Sequence, residues 1–167
     1  DYTMYKHIIL SRFGGLGDMV MMSPLLKGIK TLYPDIKLTV VGNTNAKQLM
    51  ESYPFVDEYL TFDKTKKSSW NLIKKLWRSD VVYLMDTLYR ISIIYALACI
   101  KKRVGLPHKR KFWLTDNLEI EPWMNHAFEP VVYAHFLKEA TGIDVTTLPN
   151  WDTFIYPDAR DVDKQHV

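Results

Sequence analysis

Cysteine and long apolar runs are almost missing from this sequence. The 167 residues contain one cysteine, Cys99, inside the apolar stretch "RISIIYALACI". A disulfide framework is therefore excluded, and we expect Cys99 to be a small buried hydrophobe in a protein of the reducing cytoplasm. No stretch reaches the roughly 18 to 20 apolar residues of a membrane helix, and "DYTMYKHIIL" lacks a signal-peptide core. Any membrane contact is thus expected to be peripheral.

A strong excess of charge of one sign is also lacking. The formal net charge is +3, with 47% hydrophobic and 25% charged residues. This balance is too mild to indicate a nucleic-acid partner, and the composition is typical of a globular domain with a proper core. Any functional use of charge must therefore come from its distribution along the chain.

Apolar strands alternate with amphipathic helices along most of the chain, and this alternation is typical of a parallel sheet covered on both faces. It predicts an α/β fold, a doubly wound Rossmann-like parallel sheet of order 3-2-1-4-5. We expect one domain over residues 1–145 and a polar interdomain linker over 146–167. The predicted strands are 7–13, 37–43, 56–63, 80–86 and 102–106, and the predicted helices are 24–34, 45–53, 69–79, 89–100 and 126–143.

Individual residues predict where the first and last helices begin or end and which side of a third helix is buried. The first helix starts either at Pro24, with Ser23 as N-cap, or near Asp18 with a kink at Pro24. The last helix is expected to carry Pro130 in its first turn and to end at a Gly142 C-cap. Along 69–79, an apolar stripe containing Trp70 and Trp77 favours core packing over contact with lipid headgroups.

The glycine-rich stretch "SRFGGLGDMVMMSP" (11–24) lacks the marks of the common nucleotide loops. Val20 stands where the third glycine of G-x-G-x-x-G belongs, and the second strand ends without the acid that binds ribose. Asp18 and Met19 replace the lysine and hydroxyl residue of a P-loop. A nicotinamide enzyme is disfavoured and a P-loop NTPase is excluded.

Asp18 is the chemically informative residue of this stretch. An acid at a helix start repels phosphate, whereas Gly14, Gly15 and Gly17, lacking Cβ atoms, let a ligand approach closely. Two interpretations stay open on spacing alone: Asp18 is a helix cap, or it is a general base for a bound hydroxyl. Arg12 either fixes the loop or contacts that ligand.

The stretch "ILSRFGGLGDMVMMSPLLKGIKTLYPDIKLTVVG" (9–42) resembles the opening of the ADP-heptose:lipopolysaccharide heptosyltransferases, glycosyltransferase family 9. The first strand, an arginine, a small-residue turn, Leu-Gly-Asp, an apolar run and Ser-Pro follow one another in the family's order. The similarity continues through "YPFVDEYLTFDK", "DVVYLMDTLYRISIIYALA", "KRVGL" and "HAFEPVVYAHFLKEATGI", and thus covers nearly the whole chain.

This resemblance implies the N-terminal, acceptor-side domain of a GT-B glycosyltransferase, with donor binding in a second domain beyond the linker. It implies that Asp18 is the catalytic base, and that a sugar is transferred with inversion from an ADP-sugar to an anionic glycolipid such as a lipopolysaccharide core. No cofactor and no metal are expected. The resemblance also favours a cytoplasmic protein that reaches the inner face of the membrane peripherally.

Polar residues after other strands are expected at the same crevice, because ligands of open α/β sheets bind at the carboxyl ends of the strands, where strand order reverses. Asp86 either caps a helix and pairs with Arg90, or contacts the acceptor, and the resemblance favours acceptor contact. Two basic runs predict a basic lip for the acceptor or for an anionic membrane. They comprise Lys64, Lys66 and Lys67, then Lys109, Arg110 and Lys111.

Other classes of protein fit less well. A stand-alone Rossmann-like binding module without catalysis is the main alternative. A receiver-like or flavodoxin-like domain is disfavoured, because "SRFGG" supplies no acid pair after the first strand.

Overall fold

The computed structural model describes residues 5–125 and 129–153 of the chain. These residues form a six-stranded parallel sheet with helices on both faces. The strands are β1 (His7–Ser11), β2 (Lys37–Gly42), β3 (Glu58–Thr61), β4 (Val81–Leu84), β5 (Lys102–Gly105) and β6 (Asp116–Asn117). The helices are α1 (Leu16–Met21), α2 (Ser23–Leu32), α3 (Lys47–Ser52), α4 (Lys66–Lys75), α5 (Tyr89–Leu97) and α6 (Glu129–Thr141).

The strand order is β3-β2-β1-β4-β5-β6, with all five neighbouring pairs parallel. The predicted fold class and the predicted order 3-2-1-4-5 are confirmed. The sequence analysis missed β6, in which Asp116 pairs with Val104 and Asn117 with Gly105. Both β6 residues are exposed and polar, so this edge strand carries no apolar pattern by which to recognise it.

Each face of the sheet has its own core, because side chains alternate along a strand. In β1, Ile8 and Leu10 pack with α1, α2, α3 and α6, whereas Ile9 packs with α4 and α5. A sheet buried on both faces reads in sequence as nearly continuous apolar runs, which is why the strands are easy to predict. The helices that follow β1 and the helix that follows β4 therefore pack on opposite faces of the sheet.

The chain around Pro24 forms two separate helices rather than one kinked helix. A helix does begin near Asp18, at Leu16, but it ends at Met21, and α2 starts at Ser23. Ser23 is therefore the first residue of α2 and not its N-cap, which corrects the prediction. Proline has no N–H for an unbroken helix, so the chain begins a new helix at this point.

The C-terminal helix follows the prediction. Pro130 lies in the first turn of α6, and Gly142 ends it with φ of 80° while donating its N–H to the Lys138 carbonyl at 2.8 Å. The chain then crosses α2 so closely that a Cβ on Gly28 would lie 2.8 Å from Val145. Whether 146–167 is an interdomain linker stays a prediction, and residues 154–167 lie outside the described part of the chain.

Cys99 is exposed, so the expectation of a buried hydrophobe is wrong. Cys99 directly follows the C-cap of α5 and has a φ of 55°. Its N–H donates to the Ala96 carbonyl at 3.0 Å, and the next N–H, of Ile100, donates to the Tyr95 carbonyl at 3.4 Å. These two bonds form a Schellman motif, whose left-handed position usually holds glycine. That geometry turns the Cys99 side chain towards solvent.

The apolar stripe of α4 also differs from the prediction. Leu72 and Leu76 enter the core, whereas Trp70 and Trp77 are 61% and 52% exposed. The tryptophans flank the buried stripe rather than forming it, so their predicted core packing is wrong. Among the described residues, none of the helices has the length and apolar character needed to cross a membrane.

Candidate active site

The loops after β1 and β4 lie side by side where the strand order reverses. The Met85 N–H donates to the Ser11 carbonyl at 2.9 Å, and the Ser11 hydroxyl lies 3.5 Å from Asp86 Oδ2. Ligands of open α/β sheets bind at this kind of switch point. The loop that leads to Asp18 and the loop that holds Asp86 therefore border one crevice.

Asp18 is the third residue of α1, and its carboxylate turns back towards the start of the helix. Oδ2 accepts a hydrogen bond from the Gly15 N–H at 3.0 Å. The N-cap is Gly15, so Asp18 is a first-turn acid that satisfies a free amide and complements the helix dipole. Its side chain is nevertheless 39% exposed. The helix-start role and an accessible carboxylate are thus compatible, and the carboxylate is held in one place.

The loop glycines have different roles around this carboxylate. A Cβ on Gly14 would lie 2.6 Å from Asp18 Oδ2, closer than real Cβ atoms come to a neighbour, and 3.0 Å from the Asp18 Cβ, which is a tight contact. A Cβ on Gly15 would reach Oδ2 only at 4.0 Å, and one on Gly17 would meet nothing within 4 Å. Gly14 therefore makes room for Asp18 itself, while Gly17 leaves open space at the exposed start of the helix.

The end of β2 supports the loop from behind. Asn43 donates from Nδ2 to the Gly14 carbonyl at 3.0 Å, and its own carbonyl accepts from the Tyr59 hydroxyl at 2.7 Å. A Cβ on Gly42 would lie 2.5 Å from that hydroxyl and 2.6 Å from the Arg12 carbonyl. Three strands thus brace the glycine loop.

Arg12 joins the loop to α6. One guanidinium nitrogen, Nη2, lies 3.7 Å from Asp18 Oδ1 and 3.6 Å from Glu129 Oε1. The guanidinium carbon is 6.0 Å from the centre of the Tyr133 ring, within the range of a cation–π contact. Of the two interpretations left open by the sequence, the structure supports loop fixing, because the cation is shared between two carboxylates. Contact between Arg12 and a ligand stays a prediction.

Glu129 and Tyr133 are members of this cluster that the sequence analysis missed. The Tyr133 hydroxyl donates a hydrogen bond to Glu129 Oε1. Burial, reinforced by this bond, raises the pKa of Tyr133 well above its usual range, so the hydroxyl stays a donor. An acid in the first turn of a helix is ordinarily explained by the helix dipole alone. Nothing in the spacing links Glu129 to Arg12, so only the tertiary fold reveals their contact.

Asp86 and Arg110 form a buried pair with each other, and acceptor contact by either residue stays a prediction. Arg110 is fully buried and Asp86 nearly so, with Arg110 Nη1 at 3.4 Å from Asp86 Oδ1. Asp86 also accepts from the Leu88 N–H at 3.0 Å, which is its predicted capping role. The partner of Asp86 is Arg110 rather than Arg90. Neither member presents its charge to a ligand in this structure.

Arg110 ties the β4 and β5 loops together through backbone carbonyls. Its guanidinium donates to Leu88 and Leu106, each at 3.0 Å, and to the carbonyl of Asp86. Burial raises the pKa of Asp86 above its ordinary value, although Leu88, Arg110 and Arg12 oppose that rise. Burial also lowers the pKa of Arg110, but an arginine remains a cation at neutral pH. This buried pair fixes the floor of the crevice.

The remaining predicted basic residues divide between different surfaces. Lys64 and Arg90 are exposed and border one apolar groove between α4 and α5. Lys67 is exposed beside β3, in a separate cavity of about 820 Å³ that also contains Asp63 and Lys74. Arg110 is buried and therefore not part of the predicted basic lip, whereas acceptor contact by Lys64, Lys67 and Arg90 stays a prediction.

Metal ligands do not cluster in the described ranges 5–125 and 129–153. No three His, Cys, Asp or Glu side chains lie close enough there to hold an ion. The expectation of chemistry without a metal or cofactor stays a prediction. What the described site offers chemically is one held, accessible carboxylate beside a cation.

A doubly wound sheet with a carboxylate at its switch point defines the class as a Rossmann-like α/β domain. Its fold matches one half of solved GT-B glycosyltransferases. Solved structures agree with this assignment. The chain matches a glycosyltransferase of family 9 from Veillonella parvula with a TM-score of 0.71 and 19% identity, over 99% of this chain and 49% of that chain. It matches ADP-heptose lps heptosyltransferase II of E. coli with a TM-score of 0.66 and 19% identity, over 92% and 47%.

A third match is the E. coli heptosyltransferase WaaC with ADP-2-deoxy-2-fluoro heptose, with a TM-score of 0.67 and 13% identity, over 86% of this chain and 50% of that chain. No protein-family model and no curated protein sequence matches this chain significantly. These solved structures include the family that the sequence motifs resemble, and they establish the fold. The chain spans about half the length of the structures it matches.

Proposed function

We propose that this chain is the acceptor side of an inverting glycosyltransferase in which Asp18 is the general base. The observation that carries the proposal is the Asp18 carboxylate, held by the Gly15 N–H and 39% exposed beside open space at Gly17. A base must be within hydrogen-bond reach of the hydroxyl that it deprotonates. The position of Asp18 at the strand-order reversal supports this role, because ligands of open α/β sheets bind there.

The chemistry requires one carboxylate on the acceptor side. As the acceptor oxygen attacks the anomeric carbon, Asp18 takes its proton, and the bond to the nucleotide diphosphate breaks on the opposite face of the sugar. The new glycosidic bond then has inverted configuration. Arg12 and Gly15 keep the Asp18 carboxylate pointed at one place, which is the preorganisation that such proton transfer needs.

The proposed donor is an ADP-sugar, with heptose as the first candidate because matched structures are heptosyltransferases. Donor binding is assigned to a second domain, since the chain spans about half of the matched chains. The proposed acceptor is an anionic glycolipid such as a lipopolysaccharide core. This side of the reaction takes place in the cytoplasm.

Two experiments test this division of labour. The complete protein encoded by the parent gene is incubated with ADP-heptose and heptose-deficient lipopolysaccharide, and transfer is followed by mass spectrometry. Transfer is expected, and the complete absence of transfer from a panel of ADP-sugars would refute the proposed reaction. Calorimetry on the 167-residue chain is expected to show no tight ADP-sugar binding. Tight binding would instead place the donor site in this domain and favour a stand-alone binding module.

A further inference from the structure

An apolar groove opens between α4 and α5, on the face of the sheet opposite α1, α2 and α6. It has a volume of about 630 Å³ and is lined by the side chains of Trp70, Ile73, Trp77, Ile93 and Leu97. Trp70, Trp77 and Leu97 are each more than half exposed. Large apolar side chains that remain exposed together on a soluble domain mark a binding surface.

The charge around this groove is strongly one-sided. Residues 64–79 and 87–103, which contain α4, α5 and their flanking turns, carry 10 of the 22 Lys and Arg residues and none of the 19 acids. Lys64, Lys66 and Arg90 border the groove itself. No acid lines the groove. Asp63, next to Lys64 in sequence, accepts hydrogen bonds from Thr65, while Glu58 and Asp80 pair with Lys75 and Lys101.

We propose that this groove docks the protein on a bilayer containing anionic phospholipid. Tryptophan and aliphatic side chains flanked by lysine and arginine suit the boundary between acyl chains and anionic headgroups. The charge argues against a second copy of the chain, because two such faces would bring like charges together. The end of the described chain does not fill the groove either, because Trp151 lies near Pro24 and Gly28 of α2, on the opposite face of the sheet.

Nucleic acid fits the charge but not the lining. Single strands bind platforms on which bases stack along a basic track. In this groove much of the lining comes from Ile73, Ile93 and Leu97, which offer no stacking surface. The lining therefore favours lipid over RNA or DNA.

Docking in this orientation also keeps the crevice near the membrane. Lys64 follows β3 and Arg90 lies in the first turn of α5, so both lie at the carboxyl edge of the sheet, as does the Asp18 loop. The proposal stands on the surface alone and does not require the proposed sugar transfer.

Vesicle binding by the 167-residue chain tests the proposal. Unilamellar vesicles of phosphatidylglycerol and phosphatidylethanolamine are compared with phosphatidylcholine vesicles by co-sedimentation and by tryptophan emission. We expect binding to the anionic vesicles, with a blue shift, and none to phosphatidylcholine. Trp70→Ser with Trp77→Ser is expected to weaken binding by at least about tenfold. Phe112→Ser, which changes an exposed aromatic residue outside this groove, is the matched control and is expected to bind normally.

Single lysines supply a second, independent readout. Lys66→Ala is expected to weaken anionic-vesicle binding by about fivefold. Lys27→Ala, at an exposed position of α2 on the opposite face of the sheet, is expected to leave binding unchanged. Circular dichroism confirms that each variant folds. Equal binding to both kinds of vesicle, or binding that survives the tryptophan double variant, would overturn the proposal. So would a dimer or an RNA complex that the same double variant abolishes.

Discussion

Gly14→Ala should displace the Asp18 carboxylate without disturbing the rest of the fold. The added Cβ would stand 2.6 Å from Asp18 Oδ2, 3.0 Å from its Cβ and 3.1 Å from its Cγ. The oxygen must retreat by about 0.8 Å to reach the 3.4 Å of ordinary contact. That movement breaks its 3.0 Å hydrogen bond from the Gly15 N–H.

The free energy of unfolding follows from these contacts. Losing the helix-start bond costs about 1 kcal/mol, and crowding a packed site adds about 1 kcal/mol or more. Replacing glycine returns about 0.4 to 1 kcal/mol by restricting the unfolded chain. We therefore expect Gly14→Ala to be about 1 to 2 kcal/mol less stable than the wild type in urea denaturation. Under the proposed function, a carboxylate displaced this far is expected to lower the kcat of the complete protein by about 100-fold.

Gly17→Ala is the matched control for stability. Its Cβ would meet nothing within 4 Å, and it lies inside α1. Alanine is favoured over glycine in a helix by about 0.5 to 1 kcal/mol, so this variant should be the more stable of the two. Equal free energies of unfolding for Gly14→Ala and Gly17→Ala would refute the claimed contact between Gly14 and Asp18.

Three further predictions concern residues outside the glycine loop. Arg110→Met leaves the buried Asp86 carboxylate without its cation and is expected to cost about 3 to 5 kcal/mol in chemical denaturation; a change below 1 kcal/mol would mean that the pair is not needed. Cys99→Gly relieves a left-handed residue with φ of 55° and should raise the unfolding free energy by about 1 kcal/mol, whereas a loss would contradict the Schellman geometry. Although partial burial opposes it, Lys30 at 2.6 Å helps to hold the pKa of Asp57 below its ordinary value. The stability that Asp57 contributes is then present above its unfolded pKa and lost as pH falls through its folded pKa. Asp57→Asn should therefore lower the free energy of unfolding near neutrality and lower it progressively less in acid. A difference in unfolding free energy that does not change with pH would contradict this.

The fold is largely predictable because its signals are local. Strands buried on both faces produce apolar runs such as "HIILS" and "VVYL", and the alternation with helices leaves few topologies. Where a local pattern predicts the wrong burial, the packing between distant segments decides which side chains are buried. On α4 the core accepts Leu72 and Leu76, and the equally apolar Trp70 and Trp77 remain outside. Strand β6 has no apolar residue to predict it.

In the candidate site, too, contacts within one loop are predictable from the sequence, whereas contacts between distant segments are not. Asp18 and Gly14 interact across four residues of sequence, so their contact belongs to one loop that is recognisable on its own. Arg110 lies in a basic run that reads as a solvated loop, yet the fold buries it against Asp86. Glu129 reaches Arg12 only because α6 packs beside the β1 loop. Contacts between distant segments depend on packing that single-sequence patterns do not encode.

The central claim is that Asp18 removes a proton from the acceptor, and single-turnover transfer by Asp18→Asn in the complete protein tests it most directly. Asp35→Asn is the matched control, because Asp35 is an exposed aspartate in the turn before β2, at the other edge of the sheet. The account predicts that Asp18→Asn slows transfer by about 10² to 10⁴-fold, with donor affinity and fold nearly unchanged, while Asp35→Asn behaves as the wild type. Transfer at the wild-type rate by Asp18→Asn would contradict it, and would leave Asp18 with only its bond to the start of α1.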